Sequence, residues 1–149
     1  MSGNLSWKAA KNGDIPSNSV QVGEGCYVAR AMHKGEMTPG KIFKGHKSCY
    51  ISYGGEEIAV EEYEVLTEEG KDAPDAGTYE WILTNEQNVP LGALIGGSTA
   101  GNPLYVARAS IEGDICAGKY YPAAQCAYFP YDGKEVPKCD FEVLCCKPK

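Results

Sequence analysis

The sequence predicts an all-β protein, an antiparallel β-sandwich built from two tandem repeats with internal pseudo-two-fold symmetry, and three observations carry that expectation. The chain aligns with itself over most of its length. Its apolar residues fall in short alternating runs, and no run holds a helical stripe for three turns. Eighteen glycines and nine prolines punctuate it from end to end, as expected of a chain with many turns and few long helices.

The self-similarity is direct. "CYVARAMHKGEMTPGK" from Cys26 aligns with "LYVARASIEGDICAGK" from Leu104, and over 26–66 against 104–144 the two copies share 15 of 41 positions without a gap. About two or three identities would be expected from ordinary composition. Upstream, "WKAAKNGDIP" from Trp7 matches "WILTNEQNVP" from Trp81, and "GEGCYV" in the first copy is lengthened to "GGSTAGNPLYV" in the second. The copies are residues 7–67 and 81–145, joined by an acidic, Gly/Pro-containing linker over 68–80. A copy of about 65 residues buries too little surface to be stable alone, so the two are expected to share one core as a joint globular unit.

In chain order, Tyr27, Ala29 and Ala31 alternate with Val28, Arg30 and Met32, which predicts a strand. "GEMTPGK" follows as a turn. "SCYISY" and "EYEVLT" complete the strands of the first copy, and "CAYFPY" and "DFEVLC" repeat them in the second. Trp7 and Trp81, Pro16 and Pro90, Tyr53 and Tyr131, and the "EVL" runs at Glu64 and Glu142 recur with apolar neighbours and are assigned to core and turns. Arg30 and Arg108 project on the face of Val28 and Val106 and need a carboxylate. Glu57 with Glu135, or Glu64 with Glu142, are the candidates for structural ion pairs.

The net charge of -6 and a pI near 4.9 argue against a general nucleic-acid binder or a polybasic membrane-surface binder. No segment reaches transmembrane length and the first residues lack the apolar stretch of a signal peptide, so the chain as given is expected in the cytoplasm, with unconventional release or vesicle association left open. Seven cysteines without a CxxC pair fit small hydrophobes in a reducing compartment, and adjacent Cys145 and Cys146 have no activating base beside them. His33 and His46 do not recur and belong to no cluster with zinc spacing, and no Asp/Asn loop resembles a calcium site; no metal or cofactor is expected. "GGSTAG" lacks the Lys and Ser or Thr of a phosphate loop, and no nucleophile and base constellation points to an enzyme.

The turns hold the candidate site. Between "GEMTPGK" and "GDICAGK" the glycines, an acid and a lysine survive while Met37, Thr38 and Pro39 become Ile115, Cys116 and Ala117. An exposed Lys–acid pair contributes little to stability, so Lys41 with Glu36, and Lys119 with Asp114, fit a ligand role as well as a structural one.

The pattern W...G..P..........YVARA...GEMTPGK......Y...GGEE.....YEVL, in two copies covering nearly the whole chain, resembles the DM-nine repeat, or natterin-like, family. The resemblance implies a small β-sandwich lectin that binds mannose or mannose-terminated glycans without a metal, forms a homodimer, and serves innate immune or host-glycan recognition. It implies that Lys41 contacts mannose together with an acid in the loop entering the YVARA strand, for which Glu24 is nearest. An ammonium donates to sugar oxygens while a carboxylate accepts from hydroxyls. Gly40 and its counterpart Gly118 would let the backbone approach the sugar. The companion acid is Glu36 by the repeat comparison and Glu24 by the family analogy. The second copy has Ser98 and an insertion where that acid should stand, so Lys119, Asp114, Asn102 and Gly118 form a weaker second site or none. The alternative is an intracellular protein-interaction or membrane-associated module with no sugar site. The methyltransferase label borne by some relatives has no glycine-rich strand-to-helix loop behind it, since Gly23 and Gly25 lead into a strand.

Overall fold

The computed structural model describes residues 4–69, 79–85 and 88–147. Most of the expected linker, residues 70–78, lies outside them, and its two ends do not link: 68–69 finish one strand and 79–80 begin the next. The first repeat supplies β1 (Asn4–Lys11), β2 (Gln21–Gly23), β3 (Cys26–His33), β4 (Glu36–Phe43), β5 (Cys49–Tyr53), β6 (Glu56–Val60) and β7 (Glu62–Glu69). The second supplies β8 (Tyr79–Thr84), β9 (Ile95–Thr99), β10 (Asn102–Ile111), β11 (Asp114–Tyr121), β12 (Cys126–Tyr131), β13 (Lys134–Lys138) and β14 (Phe141–Cys146). Among the described residues a single 3-10 turn, Pro122–Ala124, interrupts the strands.

The strands form one antiparallel sheet in the order β1-β7-β3-β4-β5-β6-β13-β12-β11-β10-β14-β8, with β2 on β3 and β9 on β10. The order is the same read from either end, so the pseudo-two-fold axis passes through the β6–β13 junction. The sheet curls until β4 packs on β9 and β11, and β12 on β5. Each repeat has its own core cluster, around Ile42, Ile51 and Val65 in the first and around Tyr120, Phe129 and Phe141 in the second. A third cluster joins Val22, Val28 and Leu66 to Val106, Ala117 and Leu144 and belongs to both. Burying each of the Val, Leu, Ile and Phe side chains contributes about 1.5–3 kcal/mol, and the shared cluster is why neither copy would be complete alone.

The arginines settle between their two candidate partners. Arg30 Nε donates to Glu64 Oε1 at 2.7 Å and Arg108 Nε to Glu142 Oε1 at 2.6 Å, each pair being directly opposite across neighbouring strands. Each arginine also donates to a carbonyl of the other repeat, Gly96 O at 3.1 Å and Val22 O at 3.3 Å, and lies over Trp7 or Trp81 at 4.2 and 4.5 Å. The tryptophans are therefore half-buried platforms for the arginines as well as cover for the shared core.

Candidate functional site

"GEMTPGK" is a strand rather than a turn. Only Lys34 and Gly35 turn, with φ of 51° and 80°, and Glu36 through Phe43 is β4. Pro39 is tolerated there because β4 is bonded to β3 along its length but to β5 only at Lys41 and Ile42. In a strand, residues five apart project to opposite faces, so Lys41 and Glu36 cannot share a site. The close pairing expected of the two does not form.

Lys41 points inward, 3% exposed, and reaches β6 and the second repeat. Its Nζ lies 3.7 Å from Glu57 Oε2 and 3.7 Å from Cys116 Sγ, and 5.0 and 5.2 Å from the ring centres of Phe43 and Tyr131. It looks into a cleft of about 500 Å³ lined by Phe43, His46, Tyr50, Glu57, Glu112, Tyr131 and Asp132. Lys119 repeats the arrangement on the other side of the axis. Its Nζ is 3.1 Å from Glu135 Oε2 and donates to Ser52 O at 2.7 Å, with the rings of Tyr53 and Tyr128 at 5.7 and 5.9 Å. Its cleft is smaller, about 270 Å³, lined by Tyr53, Gly54, Thr99, Tyr121, Tyr128 and Glu135.

The two glutamates have a double task. Glu57 Oε1 accepts from Gly133 N at 2.8 Å and Glu135 Oε1 from Gly55 N at 2.9 Å, while the second oxygen of each faces its lysine. Each therefore clamps the other repeat's hairpin turn and anchors a buried ammonium, which would be costly to bury without a carboxylate. Both clefts are thus made jointly by the two repeats.

The repeat-preserved acids cross over. Glu36 accepts from Thr99 Oγ1 at 2.6 Å and Ala100 N at 2.9 Å, and Thr99 lines the Lys119 cleft. These bonds hold the Glu36 carboxyl below its usual range, with smaller contributions from Lys119 and the Tyr53 hydroxyl. Asp114, exposed at the start of β11, accepts from the Tyr131 hydroxyl at 2.9 Å, beside Lys41. That bond is the main reason the Tyr131 phenol is pushed up to about 12. Glu36 thus serves the Lys119 side and Asp114 the Lys41 side.

The remaining expected residues are placed as follows. Glu24 is exposed in the β2–β3 turn and is not among the residues lining the Lys41 cleft. Asn102 is half-buried at the start of β10, its amide 3.5 Å from Ala100 O. Gly40 and Gly118 are buried in their strands, where a Cβ would stand 2.1 Å from Tyr50 O or 2.3 Å from Tyr128 O, so crowding by a neighbouring strand accounts for both. Tyr53 and Tyr131, assigned to core and turns from the sequence, line the lysine clefts, and so do Glu57 and Glu135, weighed there only as arginine partners. The recurrence of all four was visible in the sequence; which lysine each would face was not. His46 also lines the Lys41 cleft, its Nδ1 3.2 Å from the Tyr50 hydroxyl. No group of His, Cys, Asp and Glu among the described residues is arranged to hold a metal ion.

The fold and the paired clefts define a tandem-repeat, all-β protein whose two pseudo-symmetric pockets each need both repeats. The chain belongs to the DM9 repeat family, whose model matches residues 23–138 and 98–149. Natterin-3 of Thalassophryne nattereri is 38% identical over 64 residues, 43% of this chain but 16% of natterin-3. The crystal structure of the nematode sperm cell motility protein MFP2B has the same fold, with a TM-score of 0.75 and 19% identity over 98% of this chain and 45% of that one. The chain therefore spans less than half the length of either relative.

Proposed function

We propose that the protein is a non-enzymatic lectin that holds mannose or mannose-terminated glycans in the Lys41 cleft by direct, metal-independent hydrogen bonds. The observation that carries this is the state of Lys41. Its ammonium is almost fully buried, yet its hydrogen bond goes to the weak acceptor Cys116 Sγ at 3.7 Å, and the nearest carboxylate oxygen, of Glu57, stands at 3.7 Å, beyond hydrogen-bonding distance. An ammonium has three protons to place, and a buried one is stabilised by whatever oxygen enters the cleft. A sugar hydroxyl supplies that oxygen, the Glu57 carboxylate accepts from an adjacent hydroxyl, and the faces of Tyr131 and Phe43 take the sugar's C–H groups. Lys119, by contrast, already donates to Ser52 O at 2.7 Å and pairs with Glu135 at 3.1 Å, so its cleft is the weaker site. Presentation of the stronger site twice, in a homodimer, is part of the same proposal and would raise avidity without new contacts.

Calorimetric titration with mannose in the presence of EDTA tests it. Wild type should bind, Lys41→Met should lose binding by a factor of about 100 or more while remaining folded by circular dichroism, and Lys119→Met should change affinity less than about threefold. Unchanged binding in Lys41→Met would remove the site assignment, and no binding by the wild type would remove the function.

A further inference from the structure

The two clefts share a plan but not a charge. Glu57, Glu112 and Asp132 line the Lys41 cleft, and Asp114 joins them through the Tyr131 hydroxyl: four carboxylates against one ammonium. At the Lys119 cleft, Glu135 and, through Thr99, Glu36 accompany Lys119, and Lys34 Nζ lies 5.9 Å from the ring of the lining Tyr53: two against two.

The difference arises at the rim, at turn positions occupied differently in the two copies. Glu112 and Asp132 occupy left-handed turn positions with φ of 51° and 53°, and their counterparts in the first repeat are Lys34 at 51° and Gly54 at 62°. The same backbone is thus built with an acid, a base or no side chain. A left-handed position favours glycine, asparagine or aspartate, so turn geometry gives no reason for a glutamate at 112. Both rim acids are exposed and lie at the mouth of a cleft whose floor holds the loosely partnered, 3% exposed ammonium of Lys41.

We propose that the Lys41 cleft selects its sugar by charge, taking neutral and amine-bearing hexoses and rejecting those that carry phosphate, sulfate or carboxylate. The inference rests on the assignment of this cleft as a sugar site. Lys41 engages hydroxyl oxygens from the floor, while Glu112 and Asp132 meet the substituent that projects outward. An anionic substituent then enters a field of net negative charge, and an ammonium substituent gains from it. Three net charges at several ångströms in a solvent-exposed rim amount to roughly a tenfold change in affinity at low salt, and the effect is screened as the Debye length shrinks.

The test is a titration of the full chain with mannose, mannose 6-phosphate and 6-amino-6-deoxymannose, in EDTA at about pH 8 so that histidine charge stays out of the comparison. At roughly 20 mM salt, mannose 6-phosphate should bind about tenfold weaker than mannose and the amine about threefold tighter, and both ratios should approach one at about 0.5 M. In Glu112→Gln/Asp132→Asn the phosphate-to-mannose ratio should fall within about threefold, whatever happens to mannose affinity itself. Mannose and its 6-phosphate binding equally at low salt would overturn charge selection and leave the sugar site standing. Discrimination that survives the double substitution would overturn the role of the two rim acids. No binding of any of the three sugars would overturn the sugar-site assignment, and this inference with it.

Discussion

Replacing Gly40 by alanine should reverse the usual sign of a glycine-to-alanine change in a strand. Where the backbone is compatible, alanine stabilises by about 0.4–1 kcal/mol, because it restricts the unfolded chain. Gly40 has no left-handed φ to forbid a side chain; the obstacle is Tyr50 O, 2.1 Å from where the Cβ would stand, with Ile51 Cγ2 at 3.0 Å. Contact at an ordinary distance needs the two strands to part by about an ångström. They cannot do so cheaply, since Lys41↔Tyr50 and Ile42↔Cys49 are the pairs that join β4 to β5 and they begin at the next residue. Losing two ladder hydrogen bonds at about 0.5–1.5 kcal/mol each, with overpacking of about 1–3 kcal/mol, gives a destabilisation of roughly 2–6 kcal/mol. At about 2–4 °C per kcal/mol for a chain of this size, that is a fall in melting temperature of roughly 4–24 °C, measurable by calorimetry or circular dichroism. Gly118→Ala should behave alike, because its Cβ would stand 2.3 Å from Tyr128 O and 2.6 Å from Phe129 Cδ2. A neutral or stabilising Gly40→Ala would refute the crowding argument and return Gly40 to a role in holding ligand.

Two further outcomes follow from the same geometry. Glu36 has a folded pKa below the usual 4.5, first through Thr99 and then through Ala100 N–H, so its contribution to stability is present above that usual value and fades as pH falls through the lower folded one. Acid titration of the melting temperature should therefore be steeper in wild type than in Glu36→Gln on the acid side of pH 4.5, and superimposable curves would argue against the clamp. Among the cysteines, Cys139 and Cys146 are exposed whereas Cys26, Cys49, Cys116 and Cys145 are buried, with burial pushing the Cys26 thiol up to about 12 and Cys145 up to about 11. Native alkylation followed by mass spectrometry should label Cys139 and Cys146 first and spare the buried four until unfolding, and early labelling of Cys26 would contradict this packing.

Much of the architecture was legible in the order of residues. The two-copy organisation came from identities at constant spacing, and the strands came from alternation, as at Val28, Arg30 and Met32, because side-chain direction in a strand depends only on local parity. The ion pairs were legible as a short list of partners, and the lysines as residues kept while their neighbours changed. "GEMTPGK" carries the local signal of a turn in Pro39 and Gly40, whereas pairing with β3 and the close approach of β5 make the segment a strand.

What the sequence determined by itself is therefore local and repetitive: two copies of an all-β unit, their strands, and the residues each copy retains. Which retained residues meet was decided only by the tertiary fold. The pseudo-two-fold axis at the β6–β13 junction passes Glu57 and Glu135 across to the opposite repeat's turns, sets Tyr131 beside Lys41 and Tyr53 beside Lys119, and sends Glu36 and Asp114 to opposite clefts. Spacing along a strand reports which face a side chain takes. It carries no information about which strand, tens of residues away, the sheet will curl to place against that face.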